Sequence, residues 1–61
     1  MLDQYDDVLE VEEACEILHM GRNCIYTILQ SGELKGYQHG RRWRIPKLAV
    51  IEYIKKKSGI V

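Results

Sequence analysis

Cysteine is scarce in this chain, with only Cys15 and Cys24 among 61 residues. A small secreted domain built on a disulfide framework usually carries four or more at packed spacings, so that class is set aside. Cys15, His19 and Cys24 follow the spacing Cys-x3-His-x4-Cys, but no fourth ligand completes a zinc site. The thiols therefore read as buried, reduced, small apolar side chains. Long apolar runs are also missing, since the first one worth considering is interrupted by Glu10, Glu12, Glu13 and Glu16. Nothing approaches the ~20 residues of a membrane span or resembles a signal peptide, so a soluble, cytoplasmic protein with no membrane partner is expected. No paired carboxylates, nucleophile motif, phosphate loop or metal cluster is recognisable. A domain of this size buries only about 60% of the surface its unfolded chain exposes, which leaves little volume for a deep pocket. The expectation is a single non-enzymatic domain with no small-molecule substrate, cofactor or metal.

Net charge is zero, but its distribution is uneven. Residues 1–21 hold seven acids (Asp3, Asp6, Asp7, Glu10, Glu12, Glu13, Glu16) and no lysine or arginine. Residues 22–61 hold all nine basic residues against Glu33 and Glu52, a net +7. Such asymmetry suggests one face built for a polyanion; the plainer alternative is solvated charge.

The hydrophobic pattern divides the chain into short elements. Residues 1–7 have the acidic, turn-prone composition of a disordered leader. Val8 and Leu9 suit a short strand. Val11, Ala14, Cys15 and Leu18 recur at i, i+3, i+4 and i+7, predicting an amphipathic helix over Val11 to His19. Glu12 and Glu13 suit its first turn, whereas Glu10 is a poor N-cap. Met20-Gly21 breaks the pattern. A second helix follows from Arg22 to Ser31, with Ile25, Ile28 and Leu29 inward, Gly21 as N-cap and Gly32 as left-handed C-cap. Two short helices joined by a tight turn make a helix-turn-helix unit. Leu34 to Gln38 and Arg42 to Ile45 then read as strands around a turn at His39-Gly40-Arg41, with Trp43 and Ile45 facing the core. Pro46 fits the first turn of a third helix running to about Lys57, with Leu48, Ile51 and Ile54 inward and an exposed Glu52–Lys56 pair. The fold class expected is α+β: a small winged helix-turn-helix domain over residues 8–57, with three helices, a two-stranded hairpin wing between the second and third, and a frayed tail at 58–61.

The stretches VEEACEIL, SGEL (Ser31 to Leu34) and GRRWRIP (Gly40 to Pro46) resemble the excisionase-type DNA-binding domain, a small winged-helix group related to the MerR head. The resemblance covers roughly residues 8–55. It implies a recognition helix in the major groove and a wing on the backbone or minor groove. It also implies a role either in bending DNA for the integrase of a mobile element or in regulating transcription. The chain departs from the usual pattern at Glu10 (often Thr), Gly21 (often Ser), Thr27 (often Arg) and Gln30 (often Lys or Arg).

Asn23, Thr27 and Gln30 lie opposite Ile25, Ile28 and Leu29 on a helical wheel. They form an uncharged hydrogen-bonding stripe suited to base edges, with an ordinary solvated face as the alternative. Arg22 begins the helix as a candidate phosphate anchor. The Tyr26 hydroxyl has phosphate within reach, or its ring leans half-buried on the hairpin. Arg41, Arg42 and Arg44 crowd around a glycine turn, as an anion-binding wing would require. Arg41 suits a narrow minor groove, and Arg42 and Arg44 suit phosphates. Trp43 reads as core. Lys35 and Lys47 add weaker backbone contacts, and Lys55 to Lys57 form a solvated tail. His19 and His39 have no catalytic partner. The expected partners are double-stranded DNA together with an integrase or recombinase, or a second copy of the chain. Alternatives are a transcriptional regulator of the same fold, or a protein-interaction module that uses the acidic first helix.

Overall fold

The structure, a computed structural model described for residues 2–59, begins with a two-residue strand, β1 (Val8–Leu9), that runs directly into helix α1 (Val11–Leu18). The junction at Glu10 is better capped than its residue type suggested. The Glu13 carboxylate reaches back to accept the Glu10 backbone N–H at 3.0 Å, one half of a capping box. α1 ends one residue before the expected His19, which adopts the left-handed conformation (φ 54°) while the Met20 N–H closes onto the Cys15 carbonyl at 3.1 Å. Gly21, in extended conformation, leads into α2 (Arg22–Ser31). That helix stops at Gly32, whose φ of 85° suits a residue without a Cβ.

The strand expected from Leu34 to Gln38 does not form over that range. Only Tyr37–His39 forms a strand, β2, because the Leu34 N–H is already committed to the Ile28 carbonyl at 3.0 Å and the Leu34 side chain is fully buried. Leu34 thus closes the end of α2 instead of opening the wing. Between the two, Gly36 lets the chain press close to its neighbours: a Cβ there would meet Leu29 Cδ2 at 2.8 Å and the Arg44 carbonyl oxygen at 3.1 Å. Gly40 (φ 67°) turns the chain into β3 (Arg42–Pro46), which pairs antiparallel with β2 through Tyr37–Arg44, Gln38–Trp43 and His39–Arg42. β3 also pairs with β1 (Val8–Pro46, Leu9–Ile45), so the hairpin wing belongs to a three-stranded antiparallel sheet of order β1-β3-β2. α3 (Lys47–Ser58) follows, with Pro46 as its cap and not its first turn.

One face of that sheet and three helix faces enclose a core of Leu9, Val11, Ala14, Ile25, Ile28, Leu29, Leu34, Ile45, Ala49, Val50 and Tyr53. The inward residues of α2 are those expected. Those of α3 are not: Leu48 is 74% exposed, Ile51 and Ile54 are half-buried, and Ala49, Val50 and Tyr53 point in. Apolar residues nearly encircle the first two turns of α3, so helical spacing alone does not select a face. The hand-off from β3, with Ile45 buried and Pro46 at the cap, selects it. Trp43 packs against the core but is only half-buried, and Cys24 is exposed, not buried. Lys57 Nζ reaches Glu33 Oε1 at 2.9 Å, so the last turn of α3 is fastened to the end of α2, whereas no Glu52–Lys56 pair forms among the described residues.

Residues 2–7, whose composition reads as a leader, contain a turn closed by Tyr5 N–H to the Leu2 carbonyl (3.1 Å), and Leu2 and Tyr5 pack against the core. Partial desolvation and the Glu16 carboxylate, 3.4 Å from the Tyr5 hydroxyl, raise the Tyr5 pKa above its ordinary value. Of the tail expected at 58–61, Ser58 ends α3 and Gly59 caps it in the left-handed conformation; residues 60–61, like Met1, lie outside the described residues.

Candidate nucleic-acid interface

α2 divides cleanly into two faces because its apolar residues keep the 3.6-residue period. With Ile25, Ile28 and Leu29 buried, Arg22, Asn23, Thr27 and Gln30 are all exposed. Their chemistry differs, however. Thr27 Oγ1 donates to the Asn23 carbonyl oxygen at 2.8 Å, so the threonine proton is used within the helix. Asn23 and Gln30 remain as the amide groups of the stripe. Tyr26, between the two faces, is half-buried and packed on the core. Gly21 supplies no side-chain cap, and no acid occupies the first turn of α2. The open N–H groups and the positive end of the helix dipole there suit an anion.

The wing stands across a cleft from that helix end. Arg22 and Tyr26 line one wall, Arg41, Arg42 and Trp43 the other, and Glu10 and Glu12 lie along the start of α1 beside them. Trp43 therefore has a second role as a half-exposed wall. Cations from two elements, Arg22 on α2 and Arg41 and Arg42 on the wing, thus face a shared space. Arg41 is exposed beside the turn, Arg42 is exposed, and Arg44 is half-buried one pleat further back.

Three of these arginines meet carboxylates of the acidic segment. Arg22 Nη2 lies 3.0 Å from Glu12 Oε1. Arg42 Nη1 lies 3.0 Å and Arg44 Nη1 3.6 Å from the same Glu10 Oε1. All are solvent-accessible pairs, a class worth about 0–1 kcal/mol each, so a stronger anion can replace the carboxylates. Glu10 and Glu12 were not among the site residues expected from sequence. The charge asymmetry was visible there, but the Glu10 pairs depend on the register that sets Glu10 beside Arg44, and the Glu12 pair on how α1 packs against α2.

The lysines separate. Lys35 is exposed between α2 and β2. Lys47 is turned away from the site: its side chain is 17% exposed, Nζ donates to the Tyr5 carbonyl oxygen at 3.3 Å and sits 3.9 Å from Asp7 Oδ1, and its backbone N–H donates to the Asp7 carbonyl oxygen at 2.7 Å. It fastens the N-terminal segment to the start of α3. Among the described residues, no cluster of three His, Cys, Asp or Glu is placed to hold a metal ion, and no helix is long and apolar enough to cross a membrane.

Residues 8–58 match the helix-turn-helix domain family. A curated relative from Saccharopolyspora erythraea, named a probable excisionase, is 41% identical over 46 residues, which cover 75% of this chain and 47% of the relative. The chain thus spans about half the length of the curated relative it matches. No solved structure matches it.

Proposed function

The chain belongs to the helix-turn-helix domain family, of the excisionase type, and from that membership we propose that it binds double-stranded DNA through α2 and the β2–β3 wing. The observation that carries the reading is the cleft in which Arg22 faces Arg41 and Arg42 across the open N-terminus of α2. A DNA phosphate entering it meets guanidinium groups from two sides and takes the place of the Glu10 and Glu12 carboxylates that line the cleft with them. With that phosphate as anchor, the exposed stripe beside it enters the major groove, where Asn23 and Gln30 suit bidentate bonds to adenine. Arg41 at the wing turn suits an adjacent narrow minor groove. Arg42 and Arg44 follow phosphates once Glu10 is displaced. Tyr26 and Lys35 contribute at the margin of this surface; the tethered Lys47 contributes least.

Contacts in two neighbouring grooves favour a bent duplex, and the similarity to a probable excisionase supports an architectural role in excising a mobile element. In that role the protein acts in the cytoplasm without catalysing a step itself, alongside a recombinase or a second copy of the chain. A module that recruits proteins through its acidic first helix is less favoured, because Glu10 and Glu12 are already turned onto arginines.

Fluorescence anisotropy on duplexes from the ends of such an element, over a series of salt concentrations, tests the proposal. Each neutralised phosphate contributes about −0.9 to the slope of log K against log salt, so Arg22, Arg41 and Arg42 together predict a slope near −3 or steeper. A flat response between low and physiological salt refutes it. Arg42→Ala should weaken specific and nonspecific duplexes alike, whereas Asn23→Ala should cost about 1–3 kcal/mol on the cognate duplex alone.

A further inference from the structure

Beside the amide groups of α2 lies a shallow, largely apolar hollow lined by Met20, Asn23, Cys24, Thr27 and Ile28. It opens on the same side of the helix as the exposed stripe. Ile28 is buried beneath it, Met20 is half-buried at the inter-helix turn, and the Cys24 thiol is free and exposed. Thr27 adds to the apolar character. Its hydroxyl proton is already given to the Asn23 carbonyl oxygen, so the side chain offers the hollow its γ-methyl and an oxygen that can only accept.

We infer that this hollow seats the C5-methyl group of a thymine, with Met20, Cys24 and the Thr27 methyl as specificity-determining groups beside the Asn23 amide. The inference rests on reading α2 as the recognition helix. The major groove presents one apolar group, the thymine methyl, on the same edge of an A·T pair as the adenine N6 and N7 that an asparagine amide reads, with the thymine O4 between them. Charge complementarity favours DNA over an apolar protein partner. Arg22, the exposed residue before Asn23, lines the neighbouring cleft together with Arg41 and Arg42 of the wing, so the surface next to the hollow carries cations suited to a polyanion.

The probe is a duplex recovered from a random-sequence pool by selection with the wild-type protein, followed by the same duplex with each thymine replaced in turn by uracil. Uracil pairs identically and lacks only the methyl group. Burial of one methyl predicts about a fourfold preference for thymine at the seated position. Cys24→Ser, which places a hydroxyl at the rim, should bring that thymine-to-uracil ratio towards one. Thr27→Ser, which keeps the hydroxyl and removes the methyl, should do the same. Thr27→Val, which keeps a methyl and removes the hydroxyl, should retain the ratio. Circular dichroism confirms that each variant is folded.

A selected duplex insensitive to uracil at every position, or a ratio unchanged in both Cys24→Ser and Thr27→Ser, overturns the methyl seat while leaving DNA binding intact. A pool from which no sequence is enriched overturns the recognition-helix reading itself, and the seat with it. Sedimentation showing a wild-type dimer that Cys24→Ser converts to monomer would assign the hollow to a second copy and equally overturn the proposal.

Discussion

Glu10→Gln should tighten DNA binding, although it alters a residue that contacts no DNA in the proposed complex. One Glu10 oxygen holds Arg42 at 3.0 Å and Arg44 at 3.6 Å, and both arginines must leave it to reach phosphates. Exposed ion pairs of this kind contribute about 0.2–1 kcal/mol each, and the two share one carboxylate, so about 1 kcal/mol is a fair ceiling for the cost of separating them. Removing that cost raises affinity by up to about fivefold at low ionic strength. The variant also carries one more net positive charge close to the phosphates, which steepens the slope of log K against log salt by up to about 0.9. The gain fades as added salt shortens the screening length. Glutamine keeps a side-chain oxygen at the start of α1 and gives up only the charge, whose interaction with the helix dipole is worth about 0.3–1 kcal/mol. A slightly lower melting temperature therefore accompanies the tighter binding. Anisotropy titrations of both proteins on one duplex, at several salt concentrations, together with thermal melts, read both effects. A folded Glu10→Gln protein that binds no more tightly than wild type at low salt refutes the view that Glu10 competes with phosphate.

Three other outcomes follow from the packing and the ion pairs. Ile45→Ala empties a fully buried site and should cost about 2–5 kcal/mol, enough to unfold much of so small a domain in a circular-dichroism melt. Gly36→Ala drives a Cβ against Leu29 Cδ2 and the Arg44 carbonyl oxygen; it should lower stability by about 1–3 kcal/mol in chemical denaturation, and an unchanged midpoint would refute the close approach. The hydrogen bond and charge of Glu33 hold the Lys57 pKa above its ordinary value, so the stabilisation from this pair is complete below the unfolded lysine pKa and is lost as pH rises through the folded one. Glu33→Gln should bring the Lys57 titration followed by NMR back towards the ordinary value, and no movement would refute the pairing.

Much of the architecture could be read from local chemistry. In α2 the spacing of Ile25, Ile28 and Leu29 and the left-handed Gly32 leave one geometry open, so its buried face and its exposed Arg22, Asn23, Thr27 and Gln30 were legible without coordinates. The hairpin announced itself through Gly40 between two alternating segments. Where the local signal was degenerate, the rest of the chain decided. α3 carries apolar residues almost all round, and only its junction with β3 turned Val50 and Tyr53 inward and left Leu48 in solvent. Leu34 looked like a strand residue until the end of α2 claimed its N–H. The charges of the site show the same division. That acids fill the first 21 residues and cations the remainder is a property of the sequence. That Glu10 meets Arg42, 32 positions away, while Asp7 and the Tyr5 carbonyl claim Lys47, follows from strand register and from the packing of the N-terminal segment. Periodicity and turn chemistry act over a few residues and so can be read along the chain. Ion pairs and burial across elements exist only once non-local strands have paired, and they belong to the tertiary structure.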